Sequence, residues 1–221
     1  DPIVMWQHRH YLALVLLTNI GLPALIGYLH GDVIAGLLLG GLLRLVLSQH
    51  FTYFINSLAH MWGRRPYSDK STARDNTLLA LITYGEGYHN YHHTFQWDYR
   101  NGIRWWHFDP TKWLIHTLSR LGLASGLKRC DPDKIECAKL ERQYQLAADR
   151  CEKLQIEGDW QDRLEQEYQA LLHTVQLWAE HRHAWYEAKG KQLQELSHLE
   201  LLQIKAHYLE MRLKLQLQKK R

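Results

Sequence analysis

The chain has 221 residues, a formal net charge of +4 with histidines neutral, fifteen histidines and three cysteines. The length allows one or two domains, and the modest positive balance carries no basic-aromatic motif of a nucleic-acid binder. Cys130, Cys137 and Cys151 are odd in number and lack Cys-x-x-Cys spacing, which excludes a disulfide framework and a zinc knuckle and predicts free thiols on a reducing, cytoplasmic side.

The elements read as all-α. Residues 1 to 10 are a short polar lead-in ending Gln7-His8-Arg9-His10. Residues 11 to 29 carry no charge, and a bilayer crossing needs about 20 apolar residues. Pro23 removes a backbone donor there and predicts a kink. His30-Gly31-Asp32 reads as a turn. Val33 to Leu47 is a second apolar run, broken only by Arg44. This run is short for a span, so Arg44 is expected to snorkel to the interface as the helix leaves the bilayer near Leu47. Gly36, Gly40 and Gly41 suit close helix packing, with no oligomer implied.

No cleavable signal peptide is expected, because the first run lacks a small-residue cleavage pattern and continues into the second. Joined by a short turn, the two runs predict a transmembrane hairpin with both outer ends on one side. Arg9 flanks one end and Arg64, Arg65 and Lys70 the other, which predicts a cytoplasmic location for that side. Gln49, Tyr53, Asn56 and His60 then step by 4, 3 and 4, the spacing of one face of one helix. That face lies at a membrane boundary, where polar groups are costly and functional.

After the polar turn Gly63-Arg64-Arg65-Pro66, the apolar piece Asn76 to Thr83 is too short to span and reads as a helix buried in a cytoplasmic cap. Gly85 and Gly87 let the backbone bend before His89, His92 and His93. These histidines, at offsets 0, +3 and +4, share one side of a helix. Three imidazoles aimed at one point suit a transition metal of the iron, zinc or copper type. Glu86, three residues before His89, is a candidate outer partner holding that ring by hydrogen bond, with a plain surface carboxylate as the alternative.

Trp97, Tyr99, Trp105, Trp106 and Trp113 read as an interfacial aromatic belt. Asp109-Pro110 opens a helix as N-cap and first residue. From residue 131 the stripes Leu140, Tyr144, Ala147, Cys151, Leu154, then Trp160, Leu164, Tyr168, Leu171, Val175, Trp178, then Leu201, Ile204, Tyr208, Met211, Leu215 predict amphipathic helices in a hairpin or coiled coil, with breaks at Gly158-Asp159 and Gly190. The expected domains are a lead-in (1–10), a transmembrane helical hairpin (11–54), a cap carrying the histidines (55–130) and a helical C-terminal extension (131–221).

Asn56-Ser57-Leu58-Ala59-His60 followed by Glu86-Gly87-Tyr88-His89-Asn90-Tyr91-His92-His93 resembles the C-terminal half of the membrane-bound fatty acid desaturases. The resemblance is to the delta-9, stearoyl-CoA-like branch. Gly63-Arg64-Arg65-Pro66-Tyr67, Phe108-Asp109-Pro110-Thr111-Lys112-Trp113 and the opening Asp1-Pro2-Ile3-Val4-Met5-Trp6-Gln7-His8 support it. It covers residues 1 to about 125. Family members carry two further boxes, an HxxxxH and a second HxxHH besides that of residues 89 to 93, and neither is in this chain. With the chain beginning at Asp1, a fragment is expected.

The resemblance implies an O₂-dependent desaturase with two histidine-ligated iron ions, acting on acyl-CoA or acyl-lipid. His60, His89, His92 and His93 would be metal ligands, and Asn56 would hold a metal-bound water. Tyr53, one turn before Asn56, is the candidate for lining the acyl channel. Electrons would come from a cytochrome b5-like protein or a ferredoxin with its reductase. The implied setting is an integral membrane protein whose catalytic side faces the cytoplasm, with the C-terminal helices left for self-association or docking. The alternatives are a related di-iron hydroxylase, a zinc hydrolase, or a non-catalytic membrane-anchored scaffold.

Overall fold

The structure is a computed structural model that describes residues 1–191 (188–191 by backbone alone), 203, 205–207, 209–211, 213 and 214. Among the described residues the fold is all-α. The sheet-like pairings there are single bridges, Arg64 with Asp75 and Asp75 with Tyr88. Helix α1 (Pro2–Arg9) starts on the Asp1 carboxylate, which accepts the Ile3 N–H at 2.7 Å.

The first apolar segment is one rod, Tyr11–Leu29. It comprises α2 (Tyr11–Leu16), a π-helical turn (Leu17–Gly21) and α3 (Leu22–Leu29). The irregularity falls at Pro23, as its missing N–H demands; the Leu22 N–H reaches back to the Leu17 carbonyl instead. The second rod, Val33–Met61, has 29 residues. It is built from α4 (Val33–Ala35), a π-helical stretch (Gly36–Leu43), α5 (Arg44–Asn56) and α6 (Leu58–Met61). It does not stop near Leu47, because Ser48 to Asn56 contains neither glycine nor proline. At 1.5 Å per residue it is about 43 Å long, more than the hydrocarbon core of a bilayer. Only 11 % and 6 % of the two apolar windows are buried within the chain. These rods are long and apolar enough to cross a membrane, and neither is the covered core helix of a soluble domain.

The rods pack at glycine. A Cβ on Gly36 would meet the Pro23 carbonyl oxygen at 2.5 Å and the Gly27 Cα at 2.6 Å, so backbones touch there. Arg44 also ties the rods together. Its Nη2 donates to Asn19 Oδ1 at 2.5 Å across the hairpin and its Nε to the Gly40 carbonyl at 2.8 Å.

The cap contains α7 (Thr77–Ile82), α8 (His89–Thr94) and α9 (Pro110–Arg120). Asn76 Oδ1 caps α7 by accepting from Leu78 and Leu79, and Asp109 caps α9 through the Lys112 N–H, with Pro110 in the first turn. Helix α7 buries Leu79 and Ala80 while Leu78 and Leu81 stay exposed; it is half-covered, not buried as expected.

The C-terminal part is a helical hairpin of α10 (Pro132–Lys153) and α11 (Trp160–Lys191). Leu140, Val175 and Trp178 form its core, with Tyr168, Leu171 and Met211 against them, and Tyr144 stacks on Tyr168 at 4.6 Å. Gly158 adopts φ +101° in the connection. Gly190 is no break: α11 runs through it to Lys191, since a single glycine costs a long helix only about 1 kcal/mol. Leu201, Ile204, Tyr208 and Leu215 lie outside the described residues.

A second face of α10 packs on the cap. Ile135 and Ala138 join Tyr67, Tyr91, Phe95 and Cys130 in one core. All three cysteines are free. Burial pushes the Cys130 thiol up to about 11, and the residue is 2 % exposed. Iodoacetamide at pH 8 is therefore expected to label Cys151 and spare Cys130, as read by mass spectrometry. Equal labelling would mean that this core opens readily.

Candidate metal centre

Two elements deliver the histidines. Helix α6 carries His60 and α8 carries His89, His92 and His93. The Nε2 of His89 lies 3.1 Å from that of His60 and 3.1 Å from that of His93. One ligand nitrogen from each of the three falls within 4.8 Å of the others. The helical period explains the choice. At about 100° per residue, His93 is about 40° from His89 around α8, while His92 is about 100° from His93. The His92 ring stacks beside His89 at 6.1 Å, outside the three-nitrogen group.

Helix α8 is held from outside itself. Its N-cap residue, Tyr88, offers no side-chain bond. The Asp75 carboxylate accepts the Tyr91 N–H at 3.0 Å in its place. Burial pushes that carboxyl up to about 6, against the pull of the Tyr91 and Asn90 amides. Asn90 is fully buried. Its Oδ1 accepts from the Tyr67 N–H at 3.0 Å, and its Nδ2 donates to the Ser68 and Ala73 carbonyls at 2.8 and 3.0 Å. The approach to α8 turns at Gly85, φ +104°. A Cβ on Gly87 would strike the Ala80 nitrogen at 2.2 Å, so that residue must be glycine.

His89 is 5 % exposed. Burial first, then His93, His60 and His92, lower its pKa to about 4, and the Glu86 main-chain carbonyl offsets this only in part. Burial, with His92 and His60, also lowers His93. Both rings are therefore neutral at pH 7 and keep a lone pair for a cation. Three imidazole nitrogens converging on one point form a donor set that fits a transition-metal ion.

The other expected site residues have these partners and exposures. Ser57, with φ −122° and ψ −74°, interrupts the rod between Asn56 and His60. The two are thus not on one continuous helical face. The Asn56 amide donates to the Thr52 carbonyl at 3.4 Å, and Tyr53 is 61 % exposed on α5. The Glu86 carboxylate accepts from Asn101 Nδ2 at 2.7 Å; what reaches His89 from Glu86 is the main chain. Thr72 was not expected at all. Its hydroxyl lies 2.8 Å from His60 Nδ1. Asp75 and Asn90 were also missed, although a polar residue inside the histidine box is itself a signal for a buried tether.

A family model described as fatty acid desaturase matches residues 1–124. The chain belongs to that family. It is 46 % identical over 144 residues to acyl-CoA desaturase 1 of Saccharomyces cerevisiae, covering 65 % of this chain and 28 % of that protein. It is 43 % identical over 151 residues to a probable acyl-CoA desaturase of Schizosaccharomyces pombe, covering 68 % and 31 %. Stearoyl-CoA desaturase 5 of Homo sapiens is 39 % identical over 141 residues, covering 63 % and 43 %. The chain thus spans less than half the length of each of these relatives. Their names fall in the acyl-CoA and stearoyl-CoA branch that the histidine boxes resemble. Within this desaturase segment lie both α6 and α8, the two sources of the clustered nitrogens.

Proposed function

We propose that the polypeptide carrying this chain is an O₂-dependent fatty acyl desaturase of the delta-9 type. It would introduce a cis double bond into a saturated acyl chain presented as acyl-CoA or acyl-lipid. The observation that carries this reading is the meeting of His60 with His89 and His93, from two separate helices, inside a chain of the desaturase family. His60, His89 and His93 would hold one iron, and His92, with Asn56 through a bound water, would serve the remainder of a two-iron set. Iron, when bound, supplies the removal of hydrogen from unactivated methylenes, which no side chain can do.

The chain's own residues do the rest. Burial keeps the His89 and His93 rings neutral and available as donors. The Asp75 and Asn90 bonds hold α8 so that its nitrogens face His60. Tyr53, exposed on α5, is proposed to line the acyl channel, and Glu86 to steady His89 from the main chain. Two electrons per turnover would be supplied by a cytochrome b5-like protein or a ferredoxin with its reductase. The hairpin would anchor the protein in the bilayer, with the cap on the cytoplasmic side by the placement of Arg9, Arg64 and Arg65.

The test is expression of the whole natural polypeptide in a host lacking its own desaturase. Acyl chains are profiled by gas chromatography with and without air, and iron per polypeptide is measured. A cis double bond at carbon 9 that needs O₂, with stoichiometric iron, supports the proposal. A hydroxylated product would point to the hydroxylase alternative. Neither iron nor product would leave a membrane-anchored scaffold.

A further inference from the structure

The segment between Tyr67 and Asp75 touches both helices that carry the histidine cluster, α6 and α8, and also touches α10. Thr72 Oγ1 lies 2.8 Å from His60 Nδ1. If His60 Nε2 faces a metal, its lone pair must be there and the proton must sit on Nδ1. The Nδ1–H then donates to the Thr72 hydroxyl oxygen, which fixes both tautomer and ring angle. The same segment lies along α6: the Arg74 N–H donates to the Ala59 carbonyl at 2.7 Å and the Arg74 Nε to the His60 carbonyl at 3.4 Å. Asn90, beside His89, grips its two ends at Tyr67, Ser68 and Ala73.

From the other side the segment is fastened by α10. Arg142 Nη1 donates to Asp69 Oδ2 at 2.8 Å; the Arg142 side chain is 8 % exposed and that of Asp69 46 %. Lys139 Nζ lies 5.8 Å from the centroid of the Tyr67 ring, and Ile135 packs in the core that Tyr67 shares. Ile135, Ala138, Lys139 and Arg142 are offset by 3, 4 and 7, so one stripe of α10 faces the cap. A polar cleft of about 350 Å³ opens between them, lined by His93, Ser68 and Lys70 from the cap and by Glu141 and Arg142 from α10.

We propose that Thr72 is the positioning residue for His60, and that α10 braces the loop carrying Thr72 through the Arg142–Asp69 ion pair. The start of the C-terminal extension is then part of the metal centre's support rather than an appendage. This inference rests on the metal reading above, and its test separates the two.

The experiment titrates Co²⁺ into the whole polypeptide, purified in detergent without metal, and follows the d–d absorption. Thr72→Val is expected to weaken Co²⁺ about tenfold, the low end of the range for outer partners of a ligating histidine, because Thr72 is solvent-exposed. Thr72→Ser, which keeps the hydroxyl, is expected to bind as wild type. Arg142→Met keeps the aliphatic stem and frees an Asp69 that already meets solvent. It is expected to lose about threefold, within what coupled networks carry, and to add nothing in the Thr72→Val background. Unchanged melting temperatures of the metal-free variants confirm that the folds are equal.

Wild-type affinity in Thr72→Val, or equal loss in Thr72→Ser, overturns the role of Thr72. A full additional loss from Arg142→Met in the Thr72→Val background overturns the brace. A wild-type protein that takes up no Co²⁺ overturns the metal reading and this inference with it.

Discussion

Replacing His89 with alanine is expected to empty the three-nitrogen group of metal, the largest effect of any single change in the cap. Its Nε2 is the middle nitrogen of the cluster, 3.1 Å from those of both His60 and His93. Removing it leaves that group two nitrogens, those of His60 and His93, fewer donors than a transition-metal ion needs to stay bound. The loss should exceed the 10- to 100-fold that outer partners of a ligand carry. His92→Ala is the contrasting variant. His92 stands outside the three-nitrogen group, so metal at that group is expected to persist while the total per polypeptide falls. The measurement is metal content by mass spectrometry, alongside the monounsaturated fraction in cells expressing each variant. Melting temperatures of the metal-free proteins separate the two causes of such a loss: a His89→Ala protein that melts with wild type has lost the ligand and not the fold. Metal retained at wild-type level by His89→Ala would sink the cluster as the site.

How much of this was legible in the sequence depends on the range of the signal. The uncharged run from Tyr11 to Leu29 and the histidine offsets on α8 are local signals; length and composition mark the first as one apolar helix, while of the three histidines expected to share a point His89 and His93 meet His60 and His92 stands outside. The face joining Asn56 to His60 failed because periodicity assumes an unbroken helix, and nothing in Asn56-Ser57-Leu58 announces the turn at Ser57. The hydrogen-bond partner of His60 was missed for a different reason. Glu86 was read as a partner of His89, the nearest carboxylate in sequence, whereas the group against the His60 ring is the hydroxyl of Thr72, twelve residues away. Tertiary hydrogen bonds of that kind leave no spacing in the chain. Helix α10 was read with one apolar stripe, toward α11. Its second contact stripe includes Lys139 and Arg142, and charged residues read as a solvated face until Asp69 and the Tyr67 ring are seen against them.

Asp98→Asn is expected to destabilise the cap by about 3 kcal/mol at neutral pH, the scale of breaking a buried ion pair by removing one partner. The Asp98 side chain is fully buried. Its Oδ2 accepts from the Tyr91 hydroxyl at 2.7 Å, the Cys130 N–H at 2.8 Å and Arg100 Nη2 at 2.7 Å. Its Oδ1 accepts from the Arg100 N–H at 2.9 Å and Nε at 3.0 Å. One carboxylate thus joins the histidine helix to the segment entering α10. An asparagine has a single oxygen, so its NH₂ must face donors on one side. Burial and the neighbouring carboxylate push the Tyr91 hydroxyl well up, which keeps it a donor. Burial also raises the Asp98 carboxyl, but the bonds from Arg100, Cys130 and Tyr91 together outweigh it, and the net shift is downward from 3.8. The unfolded chain then binds more protons than the folded one just below that value. Stability from Asp98 is present above about pH 4 and fades as pH falls through the folded pKa. Melting temperatures of wild type and Asp98→Asn should therefore differ most at pH 7 and converge toward pH 3. A gap that stays constant across that range would mean the loss comes from shape and not from the charge.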